Sequence, residues 1–260
     1  MSSPARPIQP DRPEIVTLAV VLQVRDGRLQ VLVWRRGREP QAGRWSLPGG
    51  RLTRRESLED SIRRHLAAKV DVGELSHLEQ LETLSEPDRY PDEWQIAAAY
   101  LGLVPADQDP TLPSDTEWHA ADGLPPMAFD HGRIVHSGIE RLRAKLSYTN
   151  LGFAIAPAEF TLSELRDLYA AALGHRVTAT NLERILVRRE LLEALEQRRS
   201  STAAGGRPPR VFRFRSRGLE ITDPFAVLRP QPLRPTSHNV LEQPTTAPTD
   251  ARTRPGRRLR

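Results

Sequence analysis

Apolar residues crowd two short stretches near the start of the chain, 15–24 (IVTLAVVLQV) and 29–34 (LQVLVW). Both are rich in β-branched residues, which suit a pleated, buried strand. Asp26-Gly27 lies between them and is a tight-turn signal, so the pair reads as a hairpin. Residues 43–50 (GRWSLPGG) read as a loop. Over 56–70 the period changes, and Leu58, Ile62 and Leu66 recur every four residues as the stripe of a helix. Residues 78–84 and 94–104 read as further strands, followed by a polar loop over 105–113. Residues 131–146 place Ile134, Val135, Ile139, Leu142 and Leu146 on one side of a second amphipathic helix. Mixed strands with two helices make an α+β pattern.

A different rhythm begins at residue 160. Thr161 can cap a helix, with Glu164 three residues on as its capping-box partner, and Gly174 stops that helix. Residues 178–196 read as a second, longer helix. A glycine- and proline-bearing turn over 200–209 then leads to RVFRFR at 210–215, whose alternation suits a strand. Helix, turn, helix and a hairpin with a basic tip outline a winged helix-turn-helix. The chain thus divides into an arm over 1–13, a first domain over 14–150, a second over 151–228, and a Pro-, Thr- and Arg-rich tail over 229–260. The tail is expected to be disordered, because it is too polar to build a core.

Composition narrows the chemistry. The chain has 260 residues and no cysteine, which excludes disulfides, zinc-thiolate sites and cysteine nucleophiles. No apolar run approaches the ~18 residues of a membrane helix, and the polar start is unlike a signal peptide, so a cytoplasmic protein without a membrane partner is expected. The overall charge of +5 is uneven: residues 1–150 carry a net −3 and residues 151–260 a net +8. That asymmetry points the second half at a polyanion.

Residues 43–72 resemble the Nudix box and its approach loop. Gly50 is followed by Glu56, then Arg64 seven residues later, with Leu66 at the aliphatic position, and GRWSLPGG stands before it. The resemblance implies a Nudix α/β/α sandwich. An active box sets three glutamates on one helix face, where they hold magnesium against a diphosphate. Here those positions are His65, Ala68 and Lys69, and Asp71 stands where the box glycine would be. No catalytic residue, metal or cofactor is therefore expected. A pocket can outlive its metal, and the candidates for ligand binding are Arg35, Arg36, Arg44, Trp45, Gly49, Gly50 and Glu56. Arg36 and Arg44 would meet the phosphates and Trp45 a sugar or base, while His65 reads as an ordinary surface histidine.

The second half sharpens the resemblance. Phe129-Asp130-His131 with Ile134, the segment ERLRAKL at 140–146, FTLSEL at 160–165, and Asn181, Arg184 and GGRPPRVFRF at 205–214 are similar to the Nudix-related transcriptional regulators of NAD metabolism, the NrtR family. The resemblance covers about residues 14–216. It implies a homodimeric repressor on a palindromic double-stranded operator, with an ADP-ribose-like nucleotide as effector. The segment PDRYPD at 87–92 is atypical for that family.

The residues make a separate case for DNA. The stretch 178–189 opens with short polar side chains and continues with arginines, as a recognition helix does. Thr178, Asn181, Arg184 and Arg188 are candidates there, with Asn181 suited to adenine and Arg184 to guanine. Arg207 and Arg210, at the expected wing, suit phosphate or minor-groove contact. The rival expectation is an active hydrolase of nucleoside diphosphate derivatives that uses displaced carboxylates such as Glu56 and Glu59.

Overall fold

A computed structural model describes residues 12–70, 75–91, 93–199 and 208–223. Its frame is a mixed sheet in the order β3 (Trp45–Ser46), β2 (Arg28–Arg35), β1 (Glu14–Arg25), β6 (Gln95–Leu103), β5 (His77–Leu84). The central strand β1, Glu14–Arg25, runs parallel to β6, Gln95–Leu103, and antiparallel to β2, Arg28–Arg35. The hairpin between β1 and β2 turns at Asp26 and Gly27, both at positive φ. β5, His77–Leu84, pairs with β6 on the far edge. Burial along β1 is nearly continuous because both sheet faces are covered.

Helix α1, Leu58–Val70, covers one face. Ile62 and Leu66 are its buried stripe and meet Ala19, Val21, Leu32 and Tyr100. Helix α2, His131–Tyr148, covers the other. Ile134, Val135, Ile139, Leu142 and Leu146 pack there on Leu18, Val20, Leu22 and Val33. Alternation along β1 sends successive side chains to opposite layers, which makes an α/β/α sandwich. Among the described residues no helix is long and apolar enough to cross a membrane.

Three features of this half differ from the sequence reading. The 43–50 segment is not only loop: it holds β3, Trp45–Ser46, and β4 begins at its end, Gly49–Arg51. Such two- and three-residue strands have no period to read. A further edge strand, β7, Thr116–Ala120, pairs with β2. Helix α1 starts at Leu58 and not at residue 56, because Ser57 caps it by accepting from the Asp60 N–H at 3.1 Å.

A 3-10 turn, Leu151–Ala154, leads from α2 into the second unit. There β8, Phe160–Thr161, precedes α3, Leu162–Leu173. The expected capping box at Thr161 and Glu164 is present, and Gly174 ends the helix at φ 76°. α4, Ala179–Arg188, is followed by β9, Leu192–Arg198, and β10, Arg210–Phe214, in a sheet ordered β8-β10-β9. This is the winged helix-turn-helix arrangement, with α4 in the recognition position.

The single long helix expected over 178–196 is corrected. It breaks at Glu190, which sits at φ 54°. The Leu191 N–H bonds to the Leu186 carbonyl and the Glu190 N–H to the Val187 carbonyl, the double bond of a Schellman cap. Glycine normally occupies that left-handed position, so the sequence carries no stop signal there. The two units share one core: Phe160, Leu165, Tyr169, Leu186, Phe212 and Phe214 belong to the same buried cluster as Val20 and Ile134. The arm, most of the wing tip and the tail fall outside the described residues.

Candidate functional site

A cleft of about 1130 Å³ opens beside β2, β4 and the start of α2. Arg35, Arg36, Gly49 and Gly50, all singled out in the sequence, line it. Arg51, His65, Arg89, Tyr90, Phe129 and His131 line it as well. The two glycines have reasons of their own. A Cβ on Gly49 would lie 2.0 Å from the Thr17 carbonyl oxygen, and one on Gly50 would lie 2.4 Å from the His65 ring.

The cations around the opening are of two kinds. Arg89 is committed to Asp130 through two hydrogen bonds of 2.9 and 3.2 Å, with its side chain only 4% exposed. Arg51 is held by Glu14 and Glu93. Arg36 instead lies over the Phe129 ring, 4.8 Å from its centroid, and gives Nε to the Pro40 carbonyl. Its terminal nitrogens remain as donors for an anion, and Arg35 and Arg38 stand exposed beside it. A planar guanidinium braced on an aromatic ring suits the oxygens of a diphosphate.

Phe129 is held at φ 48°, a left-handed conformation that costs a non-glycine residue about 1–3 kcal/mol. Its N–H donates to the Gln41 side chain, and its ring stands 4.7 Å from that of Tyr90. Together they present an aromatic wall. Next in the chain, His131 is buried, and its Nδ1 accepts the Leu47 N–H at 3.0 Å. Burial pushes the imidazole down to about 4, and the charges of Arg89 and Arg36 add to this against the opposite pull of Asp130. The ring is neutral, with its proton on Nε2. Sequence reasoning used Phe129-Asp130-His131 only as a resemblance and PDRYPD only as a departure. Both segments supply pocket wall.

Arg44, Trp45 and Glu56 do not line the cleft. Arg44 is exposed. Trp45 packs edge-on to the His119 ring at 4.7 Å and against the core. Glu56 accepts from the Thr53 N–H and from Arg64. The Arg64 hydrogen bond and then the Thr53 N–H hold its carboxyl well below the usual range, at about 2.

His65 is not the surface histidine expected. It is buried, with its ring against Gly50 and Nε2 3.1 Å from the Arg51 carbonyl oxygen. The Nudix resemblance implies a divalent metal on this helix. The donor set does not fit one, since His65 is turned to the backbone and Ala68 has no donor atom. The Lys69 side chain and Asp71 lie outside the described residues. Among those described, no three His, Cys, Asp or Glu side chains are grouped to hold a metal ion.

The second candidate surface is the outer side of α4. Thr178 caps the helix, its hydroxyl accepting from the Asn181 N–H. Leu182 and Leu186 face inward, while Asn181, Arg184 and Arg188 are exposed. The Asn181 side-chain oxygen accepts from Arg184 Nη2 at 2.9 Å, so the two are one unit and not independent readers. Arg210 is exposed at the start of β10, and Arg207 lies outside the described residues. Arg189, read in the sequence among the arginines of the recognition stretch, is instead turned to the frame, joining α4 to the end of α2 through the Ser147 carbonyl and to Asp223.

Comparison with known proteins agrees with both halves. Residues 14–137 match the model of the NUDIX domain, and residues 152–214 that of the NrtR DNA-binding winged helix domain. The chain is similar to the ADPR responsive transcriptional repressor NtrR of Acinetobacter baylyi, with 31% identity over 78% of this chain and 83% of the relative. It also resembles NrtR of Shewanella oneidensis. The crystal structure of that protein complexed with a 27mer DNA gives a TM-score of 0.69 at 28% identity, covering 77% of this chain and 93% of the other. Its structure without DNA gives 0.68 at 31% identity, covering 77% and 94%.

Proposed function

The chain belongs to the NrtR family of Nudix-type transcriptional regulators, and on that premise we propose that it is a DNA-binding repressor of NAD metabolism genes that senses ADP-ribose without hydrolysing it. The observation that carries this reading is the contrast between cleft and helix. The cleft keeps a braced arginine and an aromatic wall, while the helix beside it has lost its carboxylates. The Acinetobacter relative is ADPR responsive, which supports the ligand, and the Shewanella relative has been crystallised on DNA, which supports the partner.

In this reading Arg36, with Arg35 and Arg38 beside it, meets the diphosphate. Tyr90 and Phe129 receive the base or sugar, and the Nε2–H of His131 is a neutral donor. Arg44, Trp45 and Glu56 support the frame and do not touch ligand. Residues 14–150 form the sensing domain and 151–228 the reading domain. A homodimer sets two α4 helices in successive major grooves, with half-sites ~34–36 Å or a multiple apart. Asn181 and Arg184 meet base edges, and Thr178, Arg188, Arg207 and Arg210 meet backbone or flanking bases.

The test is a gel shift on the DNA upstream of the gene itself, with and without ADP-ribose. Calorimetry with ADP-ribose in EDTA accompanies it. The expected results are a specific complex that responds to ADP-ribose, and heat without metal. Equal binding to operator and random DNA overturns the regulator reading, and metal-dependent turnover well above background overturns the loss of hydrolysis.

A further inference from the structure

The outer face of α4 carries one residue that a solvated helix does not call for. Val187 is 55% exposed, the most open of the exposed large hydrophobic side chains among the described residues. A β-branched residue is a poorer helix former than Ala, Lys or Glu, and outside the core it gains nothing in return. Its neighbours one turn away are the exposed Glu183 and Arg184 before it and the exposed Glu190 after it, and Arg188 follows it in the chain. Arg184 beside an apolar side chain, with Asn181 and Arg188 exposed further round the helix, suits a surface that is polyanionic yet has an apolar feature within it. The DNA major groove is such a surface, and its apolar feature is the C5 methyl of thymine.

The placement gives a register. Arg184 is oriented by the 2.9 Å bond to Asn181, so its bearing on the groove is set before DNA arrives. Val187 lies three residues further on, ~4.5 Å along the helix axis. Base pairs are ~3.4 Å apart. We propose that Val187 is a specificity-determining residue that reads the C5 methyl of a thymine one or two base pairs from the base met by Arg184. This rests on α4 being the DNA-reading helix, and its test separates the two.

The full chain is first used to select an operator from random duplexes. Each thymine of the selected half-site is then replaced by deoxyuridine, which removes the methyl group and leaves every hydrogen-bonding atom. For the unaltered protein, one position per half-site should lose about fourfold in affinity, the equivalent of one apolar carbon buried. Val187→Ala should bind the thymine duplex about as weakly as the unaltered protein binds the deoxyuridine duplex, and should lose nothing more at that position. Alanine is the better helix former, so α4 is retained. Val187→Thr, which keeps one γ-methyl, should retain part of the thymine preference. If Val187→Ala binds as the unaltered protein does, or keeps the same deoxyuridine penalty, Val187 does not read the methyl although α4 still reads DNA. If no sequence is enriched, the DNA-reading role of α4 fails as well.

Discussion

Burial pushes the His131 imidazole down to about 4, against an ordinary value near 6.5. The unfolded chain therefore takes up the proton first as the pH falls. The stability that His131 contributes is fully present above about 6.5 and is lost as the pH drops towards 4, by about 3 kcal/mol in all. His131→Asn, which keeps an acceptor for the Leu47 N–H, should flatten that part of the stability curve, measured by urea unfolding between pH 4 and 7. At the neighbouring Arg36 the expected effect is on ligand. Arg36→Ala should weaken ADP-ribose at least tenfold in EDTA, since a charge-assisted contact is worth about 1.5–3 kcal/mol, and calorimetry reads it directly. A variant that binds as the parent does would move the phosphates elsewhere in the cleft.

Among the elements, α4 has the least conventional end. Glu190 occupies the left-handed position of its cap, where a side chain costs about 1–2 kcal/mol. Glu190→Gly should relieve that strain, less the added freedom of glycine in the unfolded chain. A rise of a few degrees in Tm is the expected readout, and a fall would mean that the carboxylate does more than sit there. At the other end of the unit, Thr161→Ala removes one half of the capping box of α3 and should cost about 1 kcal/mol in denaturant unfolding.

At the scale of the whole molecule, α2 links the two surfaces. Its first residue, His131, lines the cleft, and Asp130 just before it holds the cleft residue Arg89. Sixteen residues after His131, ~24 Å along the helix, its Ser147 carbonyl accepts from Arg189 at the end of α4. The sheet grips this rod on the way, through Arg141 and Lys145 on Glu79. Burial alone would raise the Glu79 carboxyl, but His77 and Lys145 outweigh it and hold it at about 2. Arg189→Ala should therefore leave calorimetric ADP-ribose binding intact and reduce the effect of ADP-ribose on DNA binding, read by fluorescence anisotropy. DNA binding itself should fall steeply with salt through counterion release. Arg210→Ala should flatten that slope by about one unit for all sequences, whereas Arg184→Ala should cost about 1–3 kcal/mol on the operator alone.

The sequence by itself determined the long strands β1, β2, β5, β6 and β10, the two sandwich helices, the capping box at Thr161 and the winged outline. These follow from local period and local capping, which need no knowledge of distant residues. It also put His65, Ala68 and Lys69 where the Nudix resemblance implies carboxylates, with helix spacing setting the three on one face. What it could not decide was which arginines keep a charge for a ligand. Arg36 and Arg89 look alike in the chain, and only tertiary contact pairs one with Asp130 and lays the other on Phe129. Glu56 and Trp45 likewise stand beside the right motif, yet an ion pair with Arg64 and packing on His119 turn them away from the cleft. The break at Glu190 escaped for a related reason. A cap without glycine leaves no local signal, and the turn is formed there because the buried faces of α4, β9 and β10 must meet in one core.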